Sequence, residues 1–487
     1  MAEVELPGGI KFKGGKIFVI LTALTTAGGA LWGGFEFYKD YLTMKEQIQE
    51  YVAPDLSGFD KEIALTKEEM KSKTDLIQTE VEMIMQEMEM IMSEIRLVSD
   101  VANELKNDLR QDVRRVEKIV NDVIKENPDH FALSGISFNK NSTRVKEIIG
   151  NFHPEHIFTT NEKSYSWLKK ENNLSNSISI SNNIEELSEF LNSDNVDIII
   201  SAISGFAGLE TSILSVQTGK KVLLANKESI VAGGDILIPL SKKTGANIVP
   251  IDSEHNAILQ CIDDYSAIHN ITITASGGPF NGISDSDLEN ISPQDALKHP
   301  TWNMGAKISI DSATLVNKCL ELIEASYLFN INESKINLVI HPQSIVHSIV
   351  TYSDGSSLCQ MSNPDMKVPI AHALSDENRL NINFRELDFD NLSLSFSAFP
   401  KSRKMIEDLA REVCKIKNGS GIVFNAANEV AVDAFLNSEI KFLEIFDVIL
   451  RTFDNVQLSK ELDIEKIYEI DKASRIMAKK VVESTSN

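Results

Sequence analysis

Two acidic residues two positions apart stand in Ile251-Asp252-Ser253-Glu254-His255-Asn256. In an extended segment, side chains at i and i+2 point to the same side. Carboxylates held that way repel each other unless a cation or a proton lies between them. A solvated acidic turn is the other reading of this tripeptide. Further on comes Asp311-Ser312-Ala313-Thr314-Leu315-Val316-Asn317-Lys318-Cys319-Leu320-Glu321. Asp311 or Ser312 suits the N-cap of a helix that follows. Free amides and the positive end of the helix dipole at such a start favour phosphate. Asn317 and Glu321, four apart, share one helical face, and Lys318 beside them offers a cation. In isolation the same pattern also describes an ordinary amphipathic helix.

Two loops add to this. Ala275-Ser276-Gly277-Gly278-Pro279-Phe280 is a glycine-rich turn able to bring a hydroxyl and backbone amides close to a ligand. His299-Pro300-Thr301-Trp302-Asn303-Met304-Gly305 pairs a histidine with a large aromatic cover, although a lone histidine is more often structural than catalytic. His341-Pro342-Gln343-Ser344 repeats the His-Pro theme elsewhere.

Elements must bring these segments together. Strands such as 196–200 and 221–224 alternate with helical stretches, as in an α/β domain. A mixed region holding the polar motifs spans about 253–375, an Asn- and Asp-rich linker follows over 376–401, and a helical tail occupies 402–487. The 487 residues exceed one core and imply several domains. A net charge of −23 argues against a nucleic-acid groove but leaves room for a small phosphorylated substrate, which needs only a few local cations. Cys261, Cys319, Cys359 and Cys414 are scattered, with no CxxC pair, and read as reduced thiols in a cytosolic setting.

The N-terminal part differs. Ile17 to Phe35 is an apolar run without a charge, flanked by Lys11, Lys13 and Lys16 before it and Glu36, Lys39 and Asp40 after it. It just spans a hydrocarbon core of roughly 30 Å, so a transmembrane anchor over 1–39 is expected, with a signal peptide or a buried helix as alternatives. From Ile77 through Val81, Ile84, Met88, Ile91, Ile95, Val98, Ala102, Leu105 and Leu109, steps of four and three trace a coiled-coil seam. It resumes at Val116, Val120 and Val123, giving an expected coiled coil over 40–118. Anchor and seam together imply a membrane-tethered oligomer. They loosely resemble membrane-anchored coiled-coil proteins of bacteriophages, which leaves a phage-type structural role as a reading of this part alone. The lysine bias leans towards a cytoplasmic N-terminus, which conflicts with a cytoplasmic enzyme behind the anchor. Without the anchor the chain is expected in the cytoplasm.

The polar motifs, with Asn226-Lys227-Glu228-Ser229 before them and Asn363-Pro364-Asp365-Met366 and Asn425-Ala426-Ala427-Asn428-Glu429 after them, occur together and in this order in one family. From about 119 to its end the chain resembles 1-deoxy-D-xylulose 5-phosphate reductoisomerases. The resemblance implies an NADPH-dependent rearrangement and reduction of a sugar phosphate to 2-C-methyl-D-erythritol 4-phosphate, in non-mevalonate isoprenoid synthesis. It implies Asp252, Glu254 and Glu321 as ligands of a divalent metal, and an all-oxygen set suits magnesium or manganese better than zinc. The metal would chelate the substrate's carbonyl and neighbouring hydroxyl. Ser276, Ser312, Asn317 and Lys318 match the groups on the substrate phosphate; Lys227, Ser253 and His299 match other substrate contacts. Lys227, Glu254 and His299 are the implied catalytic set. Asn226, Glu228 and Gly305 match cofactor contacts, joined by Asn139, Lys140 and Asn141 from a second loop. Trp302 and Met304 lie on what resembles a closing flap, and Cys319 stands where glycine is usual. A homo-oligomer is the implied assembly.

The expected fold is therefore an α/β, Rossmann-like NADPH domain over 119–252, an α+β catalytic domain over 253–375, and the helical domain at the end. One departure stands at its start. The family opens with a hydrophobic strand running into a glycine-rich loop that cradles the cofactor phosphates. Here Lys118 to Phe131 resembles the helix after that loop, while Arg110-Gln111-Asp112-Val113-Arg114-Arg115-Val116-Glu117, upstream of it, holds no glycine. Glycines there permit the tight turn and the close backbone approach. Loss of a central strand leaves its neighbours unpaired, at about 1–3 kcal/mol per buried unmade hydrogen bond. The alternative function is a catalytically silent, membrane-tethered scaffold derived from the enzyme.

Overall fold

The computed structural model describes residues 4–5, 11–12, 15–49, a few positions between 66 and 73, and from 116 onward all but 141, 171–177, 303, 377, 460 and 486–487. Two units make up the chain, Met1–Val101 and Ala102–Asn487.

In the first unit Gly15–Gln49 is a helix of 35 residues. The expected membrane span is not found, because no helix among the described residues is long and apolar enough to cross a membrane. Much of the apolar run, residues 17–27, lies outside the residues whose side chains are described. The seam from Ile77 to Leu109 lies outside the described residues. Its continuation does not act as a coiled coil. A helix over 116–126 buries Val120, Val123 and Ile124 against Leu223, Val249, Ile251, Ile370 and Leu374 of the globular unit. Its apolar spacing serves the core of the α/β region, and each side chain buried there contributes roughly 1.5–3 kcal/mol.

Two parallel three-stranded sheets follow. Gly135–Ser137 pairs with His156–Phe158, which pairs with Ser179–Ser181. Ile198–Ser201 pairs with Lys221–Leu224, which pairs with Asn247–Pro250. Of the two strands expected by name, 221–224 is observed as such and 196–200 begins two residues later. No described strand joins the two sheets. Gly135–Ser137 and Ile198–Ser201 are therefore edge strands, where a doubly wound sheet would place its first strand between them.

The next region is a mixed five-stranded sheet in the order Ser357–Met361, Val346–Tyr352, Ile268–Ala275, Ile336–Ile340, Ser397–Ala398. Ile336–Ile340 runs parallel to Ile268–Ala275 and the other pairs are antiparallel. The linker thus supplies an edge strand to this sheet. Helices Ala306–Thr314 and Val316–Leu328 bury Ile310, Val316, Leu320 and Ile323 in the main core. That core continues through Lys404–Ile416, Ser420–Leu436, Glu444–Asn455 and Ile464–Thr485.

Candidate active site

Three helices bring carboxylates and lysines to one place. Asn226 caps the helix Lys227–Thr244, its Oδ1 accepting from the Ser229 amide at 3.0 Å, so Lys227 occupies the first helical position. Asp252 caps Ser253–Cys261 and accepts from the Glu254 amide at 3.3 Å. Here the sequence reading is corrected. Asp252 and Glu254 converge as a cap and a first-turn residue, not as alternate positions of a strand, because the cap hydrogen bond turns the chain into a helix immediately after Asp252. A second correction concerns Asp311 and Ser312. They lie near the end of Ala306–Thr314, and the next helix starts after Leu315, whose backbone is left-handed (φ 65°) and whose side chain caps nothing. The amide of Val316 at that start is already bonded to the Thr314 hydroxyl at 3.3 Å.

Glu321 sits at the centre of the cluster and is almost wholly buried. One of its oxygens accepts from Lys227 at 3.0 Å and from the Asn317 amide at 2.5 Å; the other accepts from Lys318 at 2.7 Å. Lys227 also pairs with Asp252 and donates to Asn317 Oδ1 at 3.1 Å, while Lys318 also pairs with Glu254. The Ser253 hydroxyl donates to Glu254 at 2.5 Å. Burial alone would raise the Asp252 carboxyl, but Lys227 beside it and then His255 hold it well below the usual carboxylate range. Glu321 moves the other way: burial and the neighbouring Glu254 push its pKa up despite two lysines. Burial opposes the charge on Lys227 and Lys318, yet the surrounding carboxylates keep both firmly protonated.

Two groups of side chains are close enough to hold a metal ion, each with ligand atoms within 4.8 Å of one another: Asp252, Glu254 and Glu321, and Asp252, His255 and Glu324. The first fits better. His255 Nε2 lies 2.9 Å from the carbonyl of Glu321, which can only accept, so that nitrogen carries a proton. Its Nδ1 faces Asp252 at 3.2 Å and Glu324 at 3.4 Å. Burial opposes the charged imidazole, while Glu324 and then Asp252 favour it and raise its pKa. The remaining all-oxygen triad, with buried like charges drawn together, is the environment a hard divalent cation relieves.

The loops carrying Ser276 and His299 adjoin it. His299 Nδ1 accepts from the amides of Thr301 at 3.2 Å and Trp302 at 2.9 Å. Its proton must then lie on Nε2, which donates to Ser276 Oγ at 3.0 Å. Burial, then Lys318, lower the His299 pKa to about 4, so the neutral tautomer persists. Ser276 Oγ accepts a second hydrogen bond from the Gly278 amide at 3.2 Å, leaving its own proton free to donate. Gly278 has φ +65°, and a Cβ there would stand 2.7 Å from the Ser312 carbonyl, so only glycine allows this turn to lie on that helix.

The expected cofactor residues are spread along the strand ends and are mostly engaged with the protein itself. The Asn226 amide donates to the carbonyls of Ile203 and Gly205. Glu228 is bonded to Lys307 at 2.9 Å, and Lys307 also pairs with Asp311 at 2.8 Å. The Asn139 carbonyl accepts from the Ser164 hydroxyl at 2.7 Å, Lys140 is exposed, and Asn141 lies outside the described residues. Gly305 occupies the cap position of Ala306–Thr314.

Three family models match the chain. One described as 1-deoxy-D-xylulose 5-phosphate reductoisomerase covers residues 119–234, one for its C-terminal domain covers 248–329, and one described as DXP reductoisomerase C-terminal domain covers 361–477. The 1-deoxy-D-xylulose 5-phosphate reductoisomerase of Tolumonas auensis is 39% identical over 373 residues, 73% of this chain and 93% of the relative. That of Clostridium botulinum strain Hall is 40% identical over 359 residues, again 73% and 93%. The chain belongs to the 1-deoxy-D-xylulose 5-phosphate reductoisomerase family. Among solved structures, the reductoisomerase from Zymomonas mobilis in complex with NADPH matches with a TM-score of 0.71 and 36% identity, over 75% of this chain and 96% of that one. A DOX-P reductoisomerase in complex with NADPH, fosmidomycin and magnesium matches with a TM-score of 0.70 and 37% identity, over 76% and 96%.

Within the reductoisomerase frame, the structure adds residues that sequence reading passed over. Glu324 lies one turn beyond Glu321 and His255 directly follows Glu254; both are wholly buried beside the triad. A charged residue one helical turn from a candidate ligand was the available signal. His341 turns out to be structural: it bonds the Ser395 carbonyl at 2.8 Å, accepts from the Ile345 and Val346 amides, and stacks on Phe396. Cys319 faces the core, wholly buried, away from the carboxylate cluster on the same helix.

Proposed function

We infer that this chain is a 1-deoxy-D-xylulose 5-phosphate reductoisomerase that uses NADPH and a divalent metal, magnesium or manganese. The observation that carries the reading is the convergence of Asp252, Glu254 and Glu321 on Lys227 and Lys318. On this reading 119–252 is the nucleotide-binding domain without its opening strand, 253–375 the metal and substrate domain, 376–401 a linker and 402–487 the closing helical domain.

Asp252, Glu254 and Glu321 would hold the metal, which when bound supplies Lewis acidity to the substrate's oxygen atoms. The two lysines on these carboxylates would offer positive charge to the anionic substrate. Lys318, Asn317, Ser312 and Ser276 then form the phosphate contacts, with the Ser276 proton aimed outward because His299 and Gly278 occupy its lone pairs. Neutral His299 holds that orientation without adding charge. Lys227, Ser253 and Glu254 face the reacting carbons, Lys227 as a fixed cation that steadies charge developing on oxygen. Trp302 and Met304 belong to the loop that covers the site, its position tied to His299 through the Trp302 amide. Asn226, Glu228, Gly305 and the segment 139–141 would line the nicotinamide cofactor at the strand ends. Copies of the chain are read as associating, which a solution mass measurement tests.

The test is conversion of 1-deoxy-D-xylulose 5-phosphate by the full chain with NADPH, with magnesium or manganese and with a chelator. Metal-dependent formation of 2-C-methyl-D-erythritol 4-phosphate supports the reading, and the same absence of product in every arm overturns it.

A further inference from the structure

The run Asn425-Ala426-Ala427-Asn428-Glu429 has no part in the chemistry above, yet it lies where the substrate and cofactor elements meet. It belongs to the helix Ser420–Leu436, and Asn425 to Asn428 are wholly buried. Asn428 Nδ2 donates to Asp311 Oδ1 at 2.8 Å. The other Asp311 oxygen pairs with Lys307 at 2.8 Å, and Lys307 reaches on to Glu228 at 2.9 Å. A polar bridge thus runs from the C-terminal helix through Ala306–Thr314 to Lys227–Thr244. Asp311 and Glu228 are buried and Lys307 nearly so. Burial opposes the charge on Lys307, but Asp311 and then Glu228 outweigh it and keep the amine protonated.

Each of the two helices joined by Lys307 carries a group expected on the cofactor and a group expected on the substrate. Gly305 caps Ala306–Thr314, and Ser312 lies near its end. Lys227 and Glu228 are consecutive at the start of the other helix. Glu429, the residue after Asn428, holds the cofactor side by a separate bond. It accepts from the Phe206 amide at 3.3 Å, in the loop whose Gly205 carbonyl accepts from Asn226 at 2.9 Å.

Stability alone does not account for the bridge. A buried ion pair adds little over well-packed apolar side chains. Asn425 Oδ1 and Asn428 Oδ1 find no donor among the described residues, which costs stability. What the bridge does supply is a fixed spacing, and a displacement of about 1 Å between reacting groups can cost about a hundredfold in rate.

We propose that Lys307 and Asn428 are positioning residues for the reductive step: through Glu228 and Asp311 they hold the cofactor contacts at a set distance from the substrate contacts. This rests on the reductoisomerase reading. Neither residue touches the metal triad, so metal binding is left alone while the alignment of NADPH with the substrate is lost.

The test is steady-state kinetics of the full chain with magnesium, the sugar phosphate and NADPH, unlabelled or deuterated at the transferred position of the nicotinamide. Lys307→Met cuts the bridge at its centre and Asn428→Ala at its far end. Lys307→Gln combined with Asp311→Asn removes one charge of each sign, and so guards against a variant that only fails to fold. In each, kcat is expected to fall about ten- to a hundredfold and the isotope effect on kcat to rise. The KM for the sugar phosphate and the affinity for manganese should stay close to the parent's. A kcat or an isotope effect that stays at the parent's value overturns the proposal, as does a loss of activity that only follows the melting temperature. A parent chain that makes no product overturns the reductoisomerase reading and the proposal with it, whereas a parent that turns over beside unaffected variants overturns the proposal alone.

Discussion

Replacing Lys227 with methionine keeps the length of the side chain and removes one cation from the carboxylate cluster. Lys227 neutralises Asp252 and Glu321 and also bonds Asn317. An ion pair at this separation is worth roughly 5 kcal/mol at an effective dielectric of about 20 before desolvation is subtracted. Deleting one partner of a buried pair leaves the other uncompensated, at a net cost of about 3–5 kcal/mol. Lys227→Met should therefore lose about that much stability without metal, a large share of the 5–15 kcal/mol typical of a folded domain. A divalent cation at a hundred times its dissociation constant stabilises by about 2.7 kcal/mol. In the variant it also replaces the missing charge, so its stabilising increment should exceed that of the parent. Equilibrium urea unfolding with chelator and with magnesium measures all four values. A variant as stable as the parent without metal, or one that gains no more from magnesium, would refute the reasoning.

Gly278→Ala places a Cβ in a left-handed backbone and 2.7 Å from the Ser312 carbonyl. A loss of about 1–3 kcal/mol is expected, read as a lower melting temperature, together with a higher KM from displacement of Ser276. The His299 pKa is held near 4, against an ordinary 6.5, by burial and then by Lys318. The unfolded chain takes up this proton first as pH falls, so the contribution is complete above about pH 6.5 and is lost as pH drops towards about 4. In His299→Asn that acid-limb loss should shrink in pH-dependent melting curves, and the parent's pH profile for kcat/KM should show no histidine step near 6.5. Arg475 bridges Glu429 and Asp471, and Glu429 accepts from the Phe206 amide at 3.3 Å, after the loop that Asn226 holds. Arg475→Ala should raise the KM for NADPH more than that for the sugar phosphate, with a small stability change of about 1 kcal/mol, read from initial rates and melting.

Much of the site was legible because its residue types occur in fixed order, and the structure brings Lys227, Asp252, Glu254, Asn317, Lys318 and Glu321 into one cluster. How they converge was less legible. The Asp252–Glu254 pair reads equally as strand or helix start, and only the cap hydrogen bond decides it. Asp311 and Ser312 resemble a helix start, but the break falls at Leu315, where a left-handed residue that no local propensity favours is imposed by packing. The spacing of Val116, Val120 and Val123 suits a coiled coil and a globular core alike, and only the partners Leu223, Val249 and Ile370 tell them apart. The departure at the start of this region could be read from 110–117, which holds no glycine, and among the described residues no strand joins the two three-stranded sheets.

The carboxylate triad is tested most directly by titrating the metal-free full chain with manganese and counting bound ions by electron paramagnetic resonance. One ion per chain is expected, with the affinity falling at least about tenfold in Glu321→Gln, as loss of a single metal ligand implies. Binding of no ion, or unchanged binding in Glu321→Gln and Asp252→Asn alike, would contradict the assignment of Asp252, Glu254 and Glu321 as the metal site.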